Sequence, residues 1–401
     1  MADVRPFRAL FAPPALAAQV ASVPYDVVDT AEARALAAGN PHSYLHVTRA
    51  EIDLPAGVDE HADEVYARGR AALLDFLRAG TLREEPAPVY YLYRLTWQGR
   101  SQTGVVGAFS VEEYARDLIL KHEQTRPDKQ EDRTRHIVAL EAHAEPVFLL
   151  HRPQPGLAAL VAAITASAPL VAFEAPDGVG HALWRVSETG PLRAALSEVP
   201  RLYVADGHHR TAAALQARAR LQGRCERFLA VSFPSDEVRI LPYHRLILDA
   251  GGRAPAALLG ELEAACGPLR AVQDGEALPG EARVYLDGAW RAATLRPLGD
   301  DPVSRLDPQA LQERVLGPLF GITDPRTDQR IKFVGGIRGT PSLARAVDEG
   351  RAALAFALAP VQVEQLLRVA DAGLTMPPKS TWFEPKLRSG LFVLRLEPGG
   401  S

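Results

Sequence analysis

The densest chemistry in this chain lies at Asp206-Gly207-His208-His209-Arg210. A short apolar run, Leu202 to Ala205, precedes it, and Thr211 with Ala212 to Ala214 follows. That order predicts a strand, a glycine turn and an alanine-rich helix. Glycine reaches backbone angles that other residues resist and lets a ligand come close to the main chain. The first turn of a helix leaves its N–H groups unpaired and carries the positive end of the dipole, so anions bind there. His208, His209 and Arg210 add donors, and an arginine can grip phosphate oxygens in pairs. Asp206 at the strand end could hold Mg²⁺, orient a hydroxyl or act as a base, and His208 could move a proton. A plainer reading makes Asp206 a helix cap and the histidines surface residues; two histidines and an arginine in one helix start favour function. Adjacent helical histidines point about 100° apart, so His208 and His209 cannot share one zinc ion as an i, i+4 pair would.

The elements that must position these groups read as a mixed α/β or α+β architecture. β-rich runs at Val89–Leu95, Gly104–Phe109, Pro146–Leu150, Arg201–Val204, Phe228–Phe233 and Val238–Leu241 alternate with helical patterns. Ser110 followed by Glu113 predicts a capping box that opens a helix running towards Lys121. A charge-dense stretch, Lys121 to Arg135, leads into a second helix ending near His143. Asp249 to Ala282 reads as a peripheral helical insertion. Three lobes are expected: 1–150, 151–248 carrying the Asp206 turn, and 249–401.

With 401 residues, 47% apolar and 23% charged, the chain is long enough for two or three domains. A net charge of −4 gives no global attraction to nucleic acid or to an anionic membrane. No segment matches the 18 or so apolar residues of a membrane span, and the first residues lack a signal-peptide core, so a cytoplasmic protein is expected. Cys225 and Cys266 are too few and too far apart for a disulfide framework or a cysteine zinc site.

Five blocks, in order along the chain, resemble the signature of the domain-of-unknown-function family number 1015. They are Pro24-Tyr25-Asp26-Val27; Lys121-His122-Glu123-Gln124-Thr125 with Asp132-Arg133; Ala205 to Arg210; Leu241-Pro242-Tyr243-His244-Arg245; and Met376-Pro377-Pro378-Lys379-Ser380-Thr381. The last continues through Trp382 to Leu387 and on to Ser389-Gly390-Leu391. The Asp-Gly-His-His-Arg element looks like that of the ParB/sulfiredoxin-like fold, which includes free-serine kinases, and the family tends to be linked with phosphoserine-pathway enzymes. The resemblance implies a ParB/sulfiredoxin-like core and a phosphotransferase using ATP or ADP with Mg²⁺. Its acceptor would be a small hydroxy compound, free L-serine first. No Walker loop or protein-kinase signature is present, so any such activity must use the turn at Gly207.

The resemblance also brings other blocks toward that turn. Glu123 could deprotonate an acceptor hydroxyl or bind a metal, with Lys121, Arg126 and Lys129 neutralising phosphate; the bland reading is a solvated loop. His122 and Arg133 are candidate pocket residues, with His136 structural. Lys379, Ser380 and Thr381, in a proline-stiffened loop, could clamp phosphate. His244, Arg245 and Asp26 could line the pocket, or simply end an edge strand and cap a turn. The expected site is therefore Asp206, Glu123 and His208 for chemistry; Gly207, His209, Arg210, Lys379, Ser380 and Thr381 for nucleotide phosphate; and Asp206 for Mg²⁺. A nucleotide- or nucleic-acid-binding regulator and a phosphate-ester hydrolase are the alternatives. The net charge of −4 argues against nucleic acid as a partner.

Overall fold

The apolar runs around the Asp206 turn become strands of one sheet. In this computed structural model, which describes residues 2–396, its order is Ile119–Leu120, Leu202–Asp206, Val147–His151, Arg227–Pro234, Arg100–Ser110, Tyr90–Trp97, Gly180–Val186 and Val171–Glu174. Val4–Arg5 pairs beside Arg100–Ser110. Leu202–Asp206 runs parallel to Ile119–Leu120, and Arg227–Pro234 parallel to Val147–His151; the remaining pairs are antiparallel. The sheet is thus mixed, and the fold is mixed α/β.

The residues up to Val238, with those from Pro385 onward, form one compact unit, and Arg239–Glu384 forms another. The segments 1–150 and 151–238 share the large sheet, because Val147–His151 lies between Leu202–Asp206 and Arg227–Pro234. Alternation along the strands explains the core. Tyr90, Leu92, Val105, Val147, Leu149, Val204 and Ala230 face one cluster, into which the helix His208–Arg220 inserts Ala213, Ala214 and Ala217. On the opposite face Tyr91 packs on Phe392, their ring centroids 4.7 Å apart. Phe392–Arg395 belongs to a small antiparallel sheet, between Ala9–Phe11 and Ala142–His143, so the chain's last described strand is anchored in the first unit.

Two helix expectations need correction. Ser110 Oγ accepts the Glu113 N–H at 3.2 Å, but the Glu113 carboxylate accepts from the Asp3 N–H instead of closing a capping box. That helix is only Val111–Ala115; Asp117 turns left-handed at φ 52°, and the chain then enters the strand Ile119–Leu120. The next helix, Pro127–Leu140, ends where Glu141 adopts a left-handed conformation, short of His143.

The second unit is an antiparallel sheet in the order Arg270–Val272, Ala289–Thr294, Glu281–Leu286, Leu354–Leu358, Tyr243–Ile247, Ile331–Gly335. Leu354, Phe356 and Leu358 face one core while Ala355 and Ala357 face another, the two-residue period of a strand covered on both sides. The supposed insertion at 249–282 supplies the helix Pro255–Cys266 and the edge strand Arg270–Val272, so it is integral to this unit. No helix among the described residues is long and apolar enough to cross a membrane.

Candidate active site

Segments far apart in sequence meet at Gly207. The strand Leu202–Asp206 pairs with Val147–His151 through Tyr203↔Leu150 and Val204↔Leu149, then slips register so that Asp206 faces Phe148. An extra residue in one strand re-aims the side chains beyond it. Gly207 follows at φ +100° and ψ 28°. A Cβ there would stand 3.1 Å from Arg210 Nε and 3.4 Å from Val147 Cγ1, so both the angle and the space call for glycine. Its carbonyl accepts the Thr211 N–H at 3.0 Å and the helix begins at once. The helix His208–Arg220 then packs along Pro127–Leu140, where Gln216 accepts from Gln130 and Thr134, each at 3.1 Å.

Asp206 is held between two cations. Lys386 Nζ lies 2.7 Å from Oδ2, and Arg210 Nη2 3.5 Å from Oδ1. Burial pushes this carboxyl's pKa up, but Lys386 and then Arg210 outweigh it and hold it well below the usual range. A line of alternating charges runs inward from there. Arg210 is buried and donates to the Pro146 carbonyl. Buried Glu145 accepts from the Tyr25 N–H at 3.1 Å and Ser389 Oγ at 2.8 Å. Burial raises the Glu145 pKa against the opposing pull of Arg210 and Arg133. Arg133 Nη1 stands 3.8 Å from Glu145, and its guanidinium stacks 3.9 Å from the Tyr25 ring centre. Arg133 also pairs with Asp132 at 2.7 Å, which accepts from Tyr66 at 2.7 Å and lies 3.0 Å from His61 Nδ1. Burial raises the Asp132 pKa, yet Arg133 dominates and brings it down to about 2.

On the other side of the helix start, the loop after Ile119–Leu120 presents its backbone to the paired histidines. The His122 N–H reaches His208 Nε2 at 3.5 Å, and the Arg126 N–H donates to His209 Nε2 at 3.1 Å. The His122 and His208 rings are perpendicular with centroids 4.5 Å apart, and Glu123 Oε2 lies 4.0 Å from His208 Nδ1. Burial depresses the His122 pKa to about 4; burial and then the neighbouring His122 push His208 well below its usual value. Both are neutral near pH 7, so they can pass hydrogen bonds but bring no positive charge to a phosphate.

The remaining expected residues fall in different places. Asp26 is exposed, and its charge acts on Arg210 and Glu145. Lys121 pairs with Asp117 at 3.1 Å and Arg126 with Asp128 at 2.8 Å, both on the surface. Lys129 lines a cleft together with Arg133, Asp132 and His61. His136 bonds the Val47 carbonyl at 3.2 Å in the interior, the structural role expected of it. His244, Arg245, Lys379, Ser380 and Thr381 belong to the second unit. There His244 Nδ1 accepts the Leu358 N–H at 3.3 Å, and Arg245 is buried beneath Phe333 and donates to the Lys379 carbonyl at 3.2 Å. Lys379 adopts φ 56° with its Nζ 5.7 Å from the centre of the Tyr243 ring, and Ser380 Oγ donates to the Pro377 carbonyl at 2.7 Å. Two residues at the site carried little sequence signal. Lys386 lies in the Trp382 to Leu387 block with nothing local to tie it to the turn, and Glu145 is a lone charge just before the apolar run Pro146–Leu150.

A Mg²⁺ ion on Asp206 does not fit this arrangement, because the carboxylate's charge is already balanced by Lys386 and Arg210. The acceptor-rich cluster lies instead at His122, Glu123 and His208.

Comparison with solved structures finds distant likenesses. SbnI from Staphylococcus aureus, with a C-terminal truncation, is 14% identical over 74% of this chain and 90% of that one, with a TM-score of 0.42. A free serine kinase in complex with AMP is 12% identical over 73% and 91%, with a TM-score of 0.38. A conserved hypothetical protein from Pyrococcus furiosus is 14% identical over 73% and 95%, also at 0.38. No curated protein matches the chain. Residues 4–309 match the model of the family described as "Protein of unknown function (DUF1015)", and the chain belongs to that family.

Proposed function

We propose that this protein is a nucleotide-dependent phosphotransferase whose acceptor is a small hydroxy compound, free L-serine being the first candidate. One observation carries the reading: within one compact unit, the Asp206–Lys386 pair and Glu123 flank the same glycine-led helix start. The N–H groups of that first turn would take phosphate oxygens of ATP or ADP, and Lys386 would add the cation. Asp206, kept ionised by two cations, is a weak base and would orient the acceptor hydroxyl. Glu123 would receive the hydroxyl proton as the acceptor oxygen bonds to phosphorus and the bond to the departing nucleotide oxygen breaks. Positioning and charge stabilisation would supply most of the acceleration. The turn's resemblance to the ParB/sulfiredoxin-like element supports the same reading.

The test is to incubate the full chain with ATP or ADP, Mg²⁺ as the nucleotide's counter-ion, and L-serine, and to measure phosphoserine by mass spectrometry. Product is expected with one of the nucleotides. Glu123→Gln should lower kcat by roughly 10²- to 10⁴-fold, the range for losing a general base. No phosphorylated product with either nucleotide, across a panel of hydroxy amino acids, overturns the reading.

A further inference from the structure

We propose that His122, Glu123 and His208 form a site for one divalent first-row transition-metal ion, of the zinc, cobalt, manganese or iron class, distinct from any magnesium that accompanies a nucleotide. Two ring nitrogens and one carboxylate oxygen from these residues lie within 4.8 Å of one another. Ligands at about 2.1 Å from a tetrahedral ion sit roughly 3.4 Å apart, so a movement on the order of 1 Å closes the set. Imidazole suits Zn, Mn, Co and Fe, whereas magnesium prefers a shell of oxygen atoms. Two histidines and one carboxylate leave positions open for water or an incoming oxygen.

The fold supplies the supports that such a site needs. His122 and His208 are 1% and 5% exposed, whereas the Glu123 side chain is 36% exposed, which gives an ion an entry side. The His122 ring also bonds the Val204 carbonyl, the kind of outer contact that orients ligating histidines. His208 presents Nδ1 toward Glu123 Oε2 at 4.0 Å. Parallel pairing of Leu202 with Ile119 and of Tyr203 with Leu120 sends the two segments that carry the ligands out of the sheet in the same direction. His209 takes no part; it holds the loop through the Arg126 N–H.

The inference shares Glu123 with the phosphotransferase reading but does not depend on it, and metal alone tests it. The full chain, without nucleotide, is titrated with CoCl₂, ZnCl₂, MnCl₂ and MgCl₂ by calorimetry, and the cobalt sample is followed by visible absorption. About one equivalent of Co²⁺ is expected, with absorption bands of a protein-bound ion and much weaker binding of Mg²⁺. Losing an outer-shell partner commonly costs 10- to 100-fold in affinity, so Glu123→Gln should lose roughly 100-fold or more. His122→Ala should do the same, with circular dichroism checking its fold, while Asp206→Asn should keep the cobalt spectrum. Absence of Co²⁺ and Zn²⁺ binding to the wild type, or unchanged binding by Glu123→Gln, overturns the site. So does loss of the spectrum in Asp206→Asn alone. Phosphoserine formation by a chain that binds no such ion would leave the proposed function standing and remove this one.

Discussion

Lys386 is the partner that sets the charge state of Asp206, and its removal has calculable consequences. Their side chains are 18% and 25% exposed, between an exposed pair worth about 0–1 kcal/mol and a buried one whose disruption costs about 3–5 kcal/mol. Lys386→Met should therefore lower unfolding stability by about 2 kcal/mol in urea titrations. Adding Asp206→Asn removes the stranded carboxylate, so the double variant should lose less than the two single losses combined. Strict additivity would show that the two side chains do not interact. On the functional side, Lys386→Met should raise the KM for nucleotide, because in the proposed site this cation meets phosphate. A KM equal to that of the wild type would take Lys386 out of the binding site.

At the level of the element, the turn depends on Gly207 for two separate reasons. A left-handed conformation costs a residue with Cβ roughly 1–2 kcal/mol, and here the added carbon would also press on the Arg210 guanidinium. Gly207→Ala should cost at least that much in unfolding stability, and it should weaken phosphate binding measured by calorimetry. Retention of both properties would mean the turn relaxes freely. The helix that follows has a different constraint. Ala213, Ala214 and Ala217 are fully buried against the sheet, so the alanine run is a packing requirement as well as a helix-forming one. Ala214→Leu should destabilise by about 1–3 kcal/mol through overpacking, read as a lower urea midpoint at unchanged slope.

Across the whole molecule, buried neutral histidines make the first unit acid-sensitive. Burial holds His143 and His151 at about 4, and burial with the nearby Arg133 does the same for His136. Each ordinarily titrates near 6.5, so between pH 6.5 and 4 the unfolded chain binds more protons than the folded one. Their contribution is fully present above pH 6.5 and is lost as pH falls toward 4. Each histidine adds a slope of up to about 1.4 kcal/mol per pH unit. Asp132, lowered to about 2, extends the loss to still lower pH, because its stabilising charge disappears as it protonates. Urea unfolding followed from pH 7.5 to 4.5 should show a steep decline, and a flat profile would contradict these burials.

Local pattern was sufficient for some of this protein. The β-rich runs at Val89–Leu95, Gly104–Phe109, Pro146–Leu150 and Phe228–Phe233 marked strands, found at 90–97, 100–110, 147–151 and 227–234, and Leu202 to Ala214 marked a strand, a glycine turn and a helix, because side-chain period and glycine's conformational freedom act within a few residues. The family blocks named Glu123 as a partner for that turn, and it does lie beside His208. Other features depended on pairing across long separations. A five-residue helix ending in a left-handed Asp117, and an edge strand at Arg270–Val272, have no distinct local signature. The lysine found at Asp206 is Lys386, 180 residues away, brought there with a C-terminal strand seated between residues 9–11 and 142–143. The neutrality of His122 and His208 likewise follows from burial. Residue types determined what chemistry the Gly207 turn can offer, while only the tertiary structure decided which charges face it, since charge partners and solvent exclusion are set by contacts between distant parts of the chain.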